Sequence, residues 1–332
     1  MRCSIARQKN CSANRRDAGV DEFEIIKRYF TPERPGPGVV LGVGDDGAVL
    51  RPDAGRDLVC VADTLVEDVH FPARLAAEHV GFRAIAVNVS DIAAMGGRPR
   101  WMTLALTLRR ADPDWLDGFS RGIARAAGRY DVALVGGDTT HGAEIVISVQ
   151  VLGDIEPDRV LTRSGARTGD DIYLSGTVGD AAAGLAILQS GTARNDDVEF
   201  LLSRFAEPEA RVALGQAIAR EASAAIDLSD GLYTDLAKLL AASSAGGTIE
   251  LESLPVSEAL ERTMARDDAL RFALEGGDDY ELCFTAPPGS FGGSVAGVPV
   301  TRIGSVTDGS GLDCTKGGVA VDFRSTGYRH FK

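Results

Sequence analysis

The sequence predicts an α+β protein of two domains, each a sheet covered by helices. Three observations carry that expectation. The 332 residues exceed what a single core usually serves. Apolar segments of strand period alternate with segments of helix period in both halves. A composition change over residues 153–159 separates the halves, giving a tail at 1–20, an N-terminal domain at 21–155 and a C-terminal domain at 156–332.

Residues 1–19 are polar and basic without an apolar centre. They read as a disordered tail rather than a secretory signal, with an Arg-containing transit peptide as the alternative. Phe23, Ile25, Ile26, Tyr29 and Phe30 suit a short amphipathic helix that Pro32 ends. A Pro/Gly loop and a strand lead into Gly42-Val43-Gly44-Asp45-Asp46-Gly47, and an apolar strand at 58–62 delivers Asp63 to its end. A helix is expected over 80–95, closed by Gly96-Gly97, with Ala84, Asn88, Asp91 and Met95 on one face. A strand over 101–108 follows. Asp112-Pro113 then opens a helix reaching Tyr130, and a buried strand at 132–135 ends in Gly136-Gly137-Asp138-Thr139-Thr140. After a strand at 144–152, the second domain should hold strands at 171–174, 224–226, 248–251, 280–284, 300–303 and 319–323. Its helices should cover 179–189, 208–221 and a stretch N-capped by Ser229.

Composition narrows the function. Lysine plus arginine number 35 against 48 acidic residues, for a formal charge of −13. Such a surface repels nucleic acid and anionic membranes, so neither is an expected partner. The apolar fraction is 44%, and no apolar run approaches the roughly 20 residues a membrane span needs. Five cysteines without C-x-x-C spacing disfavour zinc and a disulfide scaffold, and fit a reducing cytoplasm.

The recurring chemical feature is the acidic turn: Asp45/Asp46, Asp63, Asp91, Asp138, Asp227/Asp230 and Asp278/Asp279. Each alone is an ordinary cap or turn. Jointly they place carboxylates after apolar strands or on an apolar helix face, where solvated acids are rare. Oxygen-rich, histidine-poor clusters suit Mg²⁺ and phosphate, and so phosphoryl transfer. No G-x-x-x-x-G-K-[ST] loop and no kinase H-R-D set occurs. Phosphate binding then rests on metals and a few arginines, of which Arg163 is the best placed; a surface loop arginine is the equal alternative. His70 either contacts an anion or packs at a strand end, and no Ser/His/Asp set supports covalent catalysis.

In order along the chain, 42–48, 62–71, 86–96, 136–140, 161–165, 226–232 and 276–284 resemble the thiamine-monophosphate kinase family. The resemblance runs from about Phe23 to Phe331. It implies the two-domain fold of aminoimidazole ribonucleotide synthetase-like enzymes, with a ferredoxin-like N-terminal α/β layer and a C-terminal α+β domain. It also implies ATP-dependent, direct in-line phosphorylation of thiamine monophosphate to thiamine diphosphate in a cytoplasmic homodimer whose N-terminal sheets pair. Motif by motif, Asp46, Asp63, Asp91, Asp138, Asp227 and Asp230 would hold several Mg²⁺. Gly137, Asp138, Arg163, Ser229 and Tyr130 would contact ATP. His70, Asp278 and Phe323 would face the thiamine phosphate. Three positions depart from the family pattern. Val61-Ala62 replaces hydroxyl residues, Asp278 stands where Glu is common, and Phe323 stands where Trp is common. The alternatives are another enzyme of the superfamily, or a lapsed homologue that senses nucleotide or thiamine phosphate. Selenophosphate synthetase is disfavoured because its reactive cysteine has no counterpart.

Overall fold

The computed structural model describes residues 22–32 and 36–323; the expected tail, the end of the 319–323 strand's downstream segment and His330 lie outside them. Chain order begins with helix α1 (Glu22–Ile25), continued by a π turn over Ile26–Phe30 that buries Ile25 and Phe30. A two-stranded ribbon, β1 (Val39–Leu41) and β2 (Val49–Leu50), brackets the Gly-Asp-Asp stretch.

The first sheet has the order β3-β6-β4-β5, with β3 (Asp57–Val66), β4 (Arg98–Leu108), β5 (Ala133–His141) and β6 (Val146–Ile155). Strands β4 and β5 are parallel, while β6 runs antiparallel between β3 and β4. Helices α2 (Ala77–Ala94) and α3 (Pro113–Tyr130) form the two crossovers. Inward residues of β3 such as Val59 and Leu65 are buried, whereas Leu58 on the other face is 51% exposed. One face of this sheet therefore packs on helices, and the other is open apart from Trp101, which the segment at Pro37 and Gly38 covers.

The two crossover helices differ in character. In α3 the buried Leu116, Phe119, Ile123, Ala126 and Tyr130 line one stripe, and Asp112 accepts the N–H groups of Asp114 and Trp115 at its N-terminus. Helix α2 is buried all round from Val80 to Ser90, because a second layer covers the side turned away from α3. The helices touch closely through glycine: a Cβ at Gly122 would stand 2.0 Å from the Glu78 carbonyl oxygen.

That second layer comes from the C-terminal half. Its strands are β7 (Asp171–Ser175), β8 (Ala224–Asp227), β9 (Gly246–Glu250), β10 (Leu282–Ala286), β11 (Gly293–Val295), β12 (Val298–Thr307), β13 (Gly311–Lys316) and β14 (Val319–Val321). They form one sheet of order β14-β13-β9-β12-β7-β10-β8, with β11 on β12. Helices α4 (Asp180–Ser190), α5 (Asp196–Ala206), α6 (Val212–Ile218), α7 (Leu232–Ala242), α8 (Glu258–Thr263) and α9 (Arg266–Glu275) surround it. Phe205, Ala206, Ala210 and Tyr280 join the core around α2, so the two halves share buried surface.

Several local expectations are corrected. Asp63 and Asp138 lie within β3 and β5 rather than after them, because neighbouring strands keep pairing through Val66 and His141. Helix α5 was not expected, although Asn195 caps it by accepting the Val198 N–H at 2.8 Å. The 208–221 helix shrinks to α6, since Arg211 is drawn into a buried ion pair with Glu281. Ser229 does not cap α7; Gly231 does, at φ 106°, a conformation that side chains avoid. Strand β10 starts only at Leu282, because Asp278 and Tyr280 both have positive φ.

Candidate active site

Helix α2 presents four polar side chains toward the junction of the two halves. Buried Asn88 accepts the Asp63 N–H at 2.9 Å and donates to the Ala84 carbonyl at 3.0 Å. Ser90 donates to Asp227 at 2.7 Å across the domain junction. Arg83 pairs with Asp278, and Asp91 faces the same region as Asp227. A polar group buried without a partner costs ~1–3 kcal/mol, so these bonds account for Asn88, Ser90 and Arg83 on an otherwise apolar helix.

Two cavities meet at this junction. The smaller, of about 520 Å³, is lined by Ala62, Asp91, Met95, Arg163, Ile226 and Asp227. The larger, of about 1420 Å³, takes Asp63, His70, Ser229, Asp230 and Asp278 into its lining, with Val87, Leu185, Phe272 and Tyr280 as apolar wall. The lining divides between Ala62 and Asp63 on β3, and between Asp227 and Ser229 after β8. A ligand in one cavity and a ligand in the other would approach each other at these two breaks.

The electrostatics at the junction are those of crowded carboxylates. Burial, followed by repulsion from Asp227 and Asp63, pushes Asp91 up to about 8. Burial raises Asp227 to about 6 against the Ser90 hydrogen bond, and Arg163 lowers both acids. Asp63 keeps exposed surface, yet partial desolvation of its carboxyl raises it, with His70 opposing the shift. Asp63 and Asp227 raise Asp91, and Asp63 raises Asp227, so these acids form a donor set short of positive charge. That chemistry fits a hard divalent cation such as Mg²⁺. Among the described residues no group of three His, Cys, Asp or Glu could hold a metal ion by itself. Magnesium commonly completes its shell with water and substrate phosphate, so the donor set and the missing cage are compatible.

On the larger cavity's side, Asp235 is buried and accepts the N–H groups of Ser229 and Asp230 at 2.9 and 2.8 Å. Lys238 bonds to Asp235 at 2.8 Å and pairs with Asp230. This holds the turn that carries both candidate residues. His70 accepts the Val66 N–H through Nδ1 at 3.0 Å, which leaves Nε2 as the nitrogen bearing hydrogen. Gly277 lets the backbone pass Ser229, because a Cβ there would sit 2.4 Å from the Ser229 carbonyl oxygen.

The structure brings together Asp63, Asp91, Asp227, Asp230, Arg163, Ser229, His70 and Asp278 at this junction. Others stand apart. Asp46, on the exposed β1–β2 connection, and Asp138, on exposed β5, line neither cavity. Gly137 beside Asp138 lies close on Leu104, where a Cβ would stand 1.9 Å from the carbonyl oxygen. Tyr130 is buried in the core, its hydroxyl accepting the Ala210 N–H at 3.1 Å. Phe323 packs edge-on against Tyr233, outside both linings. Gly42 to Gly47 spells G-x-G-x-x-G, yet the chain then enters β2 rather than a helix, so the dinucleotide-binding context is absent.

Residues 44–155 match the AIR synthase related protein, N-terminal domain, and 167–317 match its C-terminal domain. The thiamine-monophosphate kinase of Escherichia coli (strain K12) is 45% identical over 319 residues, covering 93% of this chain and 98% of its own. The chain belongs to the thiamine-monophosphate kinase family. The family's Haemophilus influenzae member is 40% identical over 322 residues, covering 94% of this chain and 98% of its own. Among solved structures, the thiamine-monophosphate kinase of Stenotrophomonas maltophilia K279a superposes with a TM-score of 0.79 at 43% identity, over 86% of this chain and 93% of that one. AaThiL complexed with AMPPCP and TMP superposes at 0.77 with 34% identity, over 87% and 92%. The expected fold, that of the AIR synthase-like enzymes, is thereby established. Sequence reading missed Arg83, Asp235 and Lys238 in this thiamine-monophosphate kinase family site. Lys238 carried a signal in its scarcity, being one of five lysines in the chain.

Proposed function

We propose that this chain transfers the γ-phosphoryl group of ATP directly to thiamine monophosphate, giving thiamine diphosphate and ADP. The observation that carries the reading is the pair of cavities that meet at Ala62/Asp63 and Asp227/Ser229. ATP is assigned to the smaller cavity, beside Arg163, and thiamine monophosphate to the larger one, beside His70 and Asp278. Their phosphates then meet between Asp63, Asp91 and Asp227. The relatives' shared name, and a solved homologue holding AMPPCP and TMP, support this assignment.

Two anionic substrates repel each other, and the residues at the junction are themselves acidic. Asp63, Asp91 and Asp227 would hold Mg²⁺, which supplies charge neutralisation when bound. The side chains do the rest by placement. Asn88 fixes the backbone at Asp63, Ser90 fixes the Asp227 carboxylate, and Arg163 adds positive charge. Acceptor and donor phosphates held at fixed separation need no covalent intermediate on the enzyme. Ala62 contributes no side-chain oxygen to the nucleotide cavity.

The reading extends to a cytoplasmic homodimer formed through the open face of β3-β6-β4-β5, and to a domain division at residues 155/156. Exposed Leu58 and Cys60 on that face support the pairing. Asp46, Asp138 and Gly137 enter the reading as phosphate-end groups contributed near such an interface. Among the described residues, no helix is long and apolar enough to cross a membrane. The test is incubation with ATP, Mg²⁺ and thiamine monophosphate, followed by chromatography for thiamine diphosphate. Product formation is expected; tight binding of both ligands without product would instead support the sensor reading. Light scattering at twice the chain mass is the expected result for the dimer.

A further inference from the structure

Arg83 is an unusual residue for its position. It lies on α2 among Val80, Ala84 and Val87, and only 1% of it is exposed. Packing alone would favour an apolar side chain there, because burying a guanidinium is costly unless it is paired and hydrogen-bonded. Its guanidinium donates to the Phe205 carbonyl at 2.7 Å, pairs with Asp278, and lies 4.6 Å from the Phe205 ring centroid and 5.6 Å from that of Tyr280. The pairing is directional: Arg83 takes Oδ1 of Asp278, and Tyr280 donates to the same oxygen at 3.4 Å. The second oxygen, Oδ2, has no hydrogen bond among the described residues, and Asp278 lines the larger cavity.

The backbone agrees with a held carboxylate. Asp278 has φ 73° and Tyr280 φ 52°, conformations that cost energy in residues with a Cβ. The Asp278 and Tyr280 N–H groups bond to the Ser229 and Leu228 carbonyls at 3.0 and 2.9 Å. The strained segment is thus fixed at its backbone and at one carboxylate oxygen.

We propose that Arg83 is a positioning residue that holds Asp278 so that Oδ2 faces the cationic ring of the substrate, making the cavity selective for a positively charged heterocycle. Arg83 itself reaches the cavity lining, and the role proposed for it is to occupy Oδ1. This rests on the assignment of thiamine monophosphate to the larger cavity. The chemistry is charge complementarity: the substrate's thiazolium is a cation that a fixed carboxylate favours and a rotated one does not.

The test compares thiamine monophosphate with an isosteric analogue whose five-membered ring is neutral. In the wild type the cationic substrate should show the lower KM by about tenfold, the scale for one partly desolvated charge contact. In Arg83→Met the KM for thiamine monophosphate should rise about tenfold, with the KM for ATP within twofold and the preference over the neutral analogue lost. Arg83→Lys should restore only part of the preference. A merely structural role would shift ATP and both acceptors together, and that result would overturn the proposal, as would an unchanged preference in Arg83→Met. If Arg83→Met does not fold, Arg83→Lys decides: it keeps the charge but not the fork, so an intermediate preference supports the proposal and a wild-type one overturns it. A wild type that phosphorylates neither acceptor would refute the assigned function rather than the role of Arg83.

Discussion

The Asn88 side chain accepts the backbone N–H of Asp63 at 2.9 Å, tying helix α2 to edge strand β3. Among the described residues, strand β3 pairs with β6 alone, so its outward N–H groups have no strand partner there. The amide supplies one, and places the Asp63 carboxyl at the junction of the cavities. Asn88→Ala should destabilise the protein by ~1–3 kcal/mol, the cost of a buried group left unpaired. Urea unfolding would read it, and kcat should fall in the folded variant because Asp63 loses its anchor.

Replacing Asp227 by Asn keeps the shape and the bond from Ser90 but removes the charge. Turnover should drop about 100-fold or more, the scale for losing one preorganised electrostatic group. Thermal stability should not fall, since repulsion with Asp91 and Asp63 is relieved. A coupled ADP assay and a melting curve on the same sample check both halves.

The exposed carboxylates separate role from stability in another way. Asp138→Asn, on open β5, should leave the melting temperature unchanged while abolishing turnover. Near-normal activity in the ADP assay would remove Asp138 from the metal-binding set.

A pH dependence follows from Asp91, pushed up to about 8 from 3.8 by burial and neighbouring acids. Between those values the folded protein holds a proton that the unfolded chain has lost, so metal-free stability declines as pH rises. A cation must displace that proton. The rise in melting temperature on adding Mg²⁺ should therefore grow from pH 6 to 8.5, and Asp91→Asn should flatten both trends. An equal Mg²⁺ effect at the two ends of that range would contradict the protonated state.

Gly122→Ala tests the helix contact that positions α2. The added methyl would meet the Glu78 carbonyl oxygen at 2.0 Å, and backbone must shift. A loss of about 1–3 kcal/mol is expected from overpacking, measured by denaturant midpoint.

The sequence by itself determined the α+β class, the two halves, the helix carrying Asn88 and Asp91, and the acidic turns, because these are local patterns of period, capping and punctuation. It placed Asp63 and Asp138 at strand ends and made Ser229 a cap, since period alone does not reveal where a neighbouring strand stops pairing. What only the tertiary structure decided is which carboxylates meet. Asp63, Asp91 and Asp227 come together through strand, helix and second-domain packing, whereas Asp46, Asp138, Tyr130 and Phe323 do not join them within one chain. Arg83 was illegible for the same physical reason. A buried arginine on an apolar helix has meaning only once its partner, 195 positions away, is folded against it.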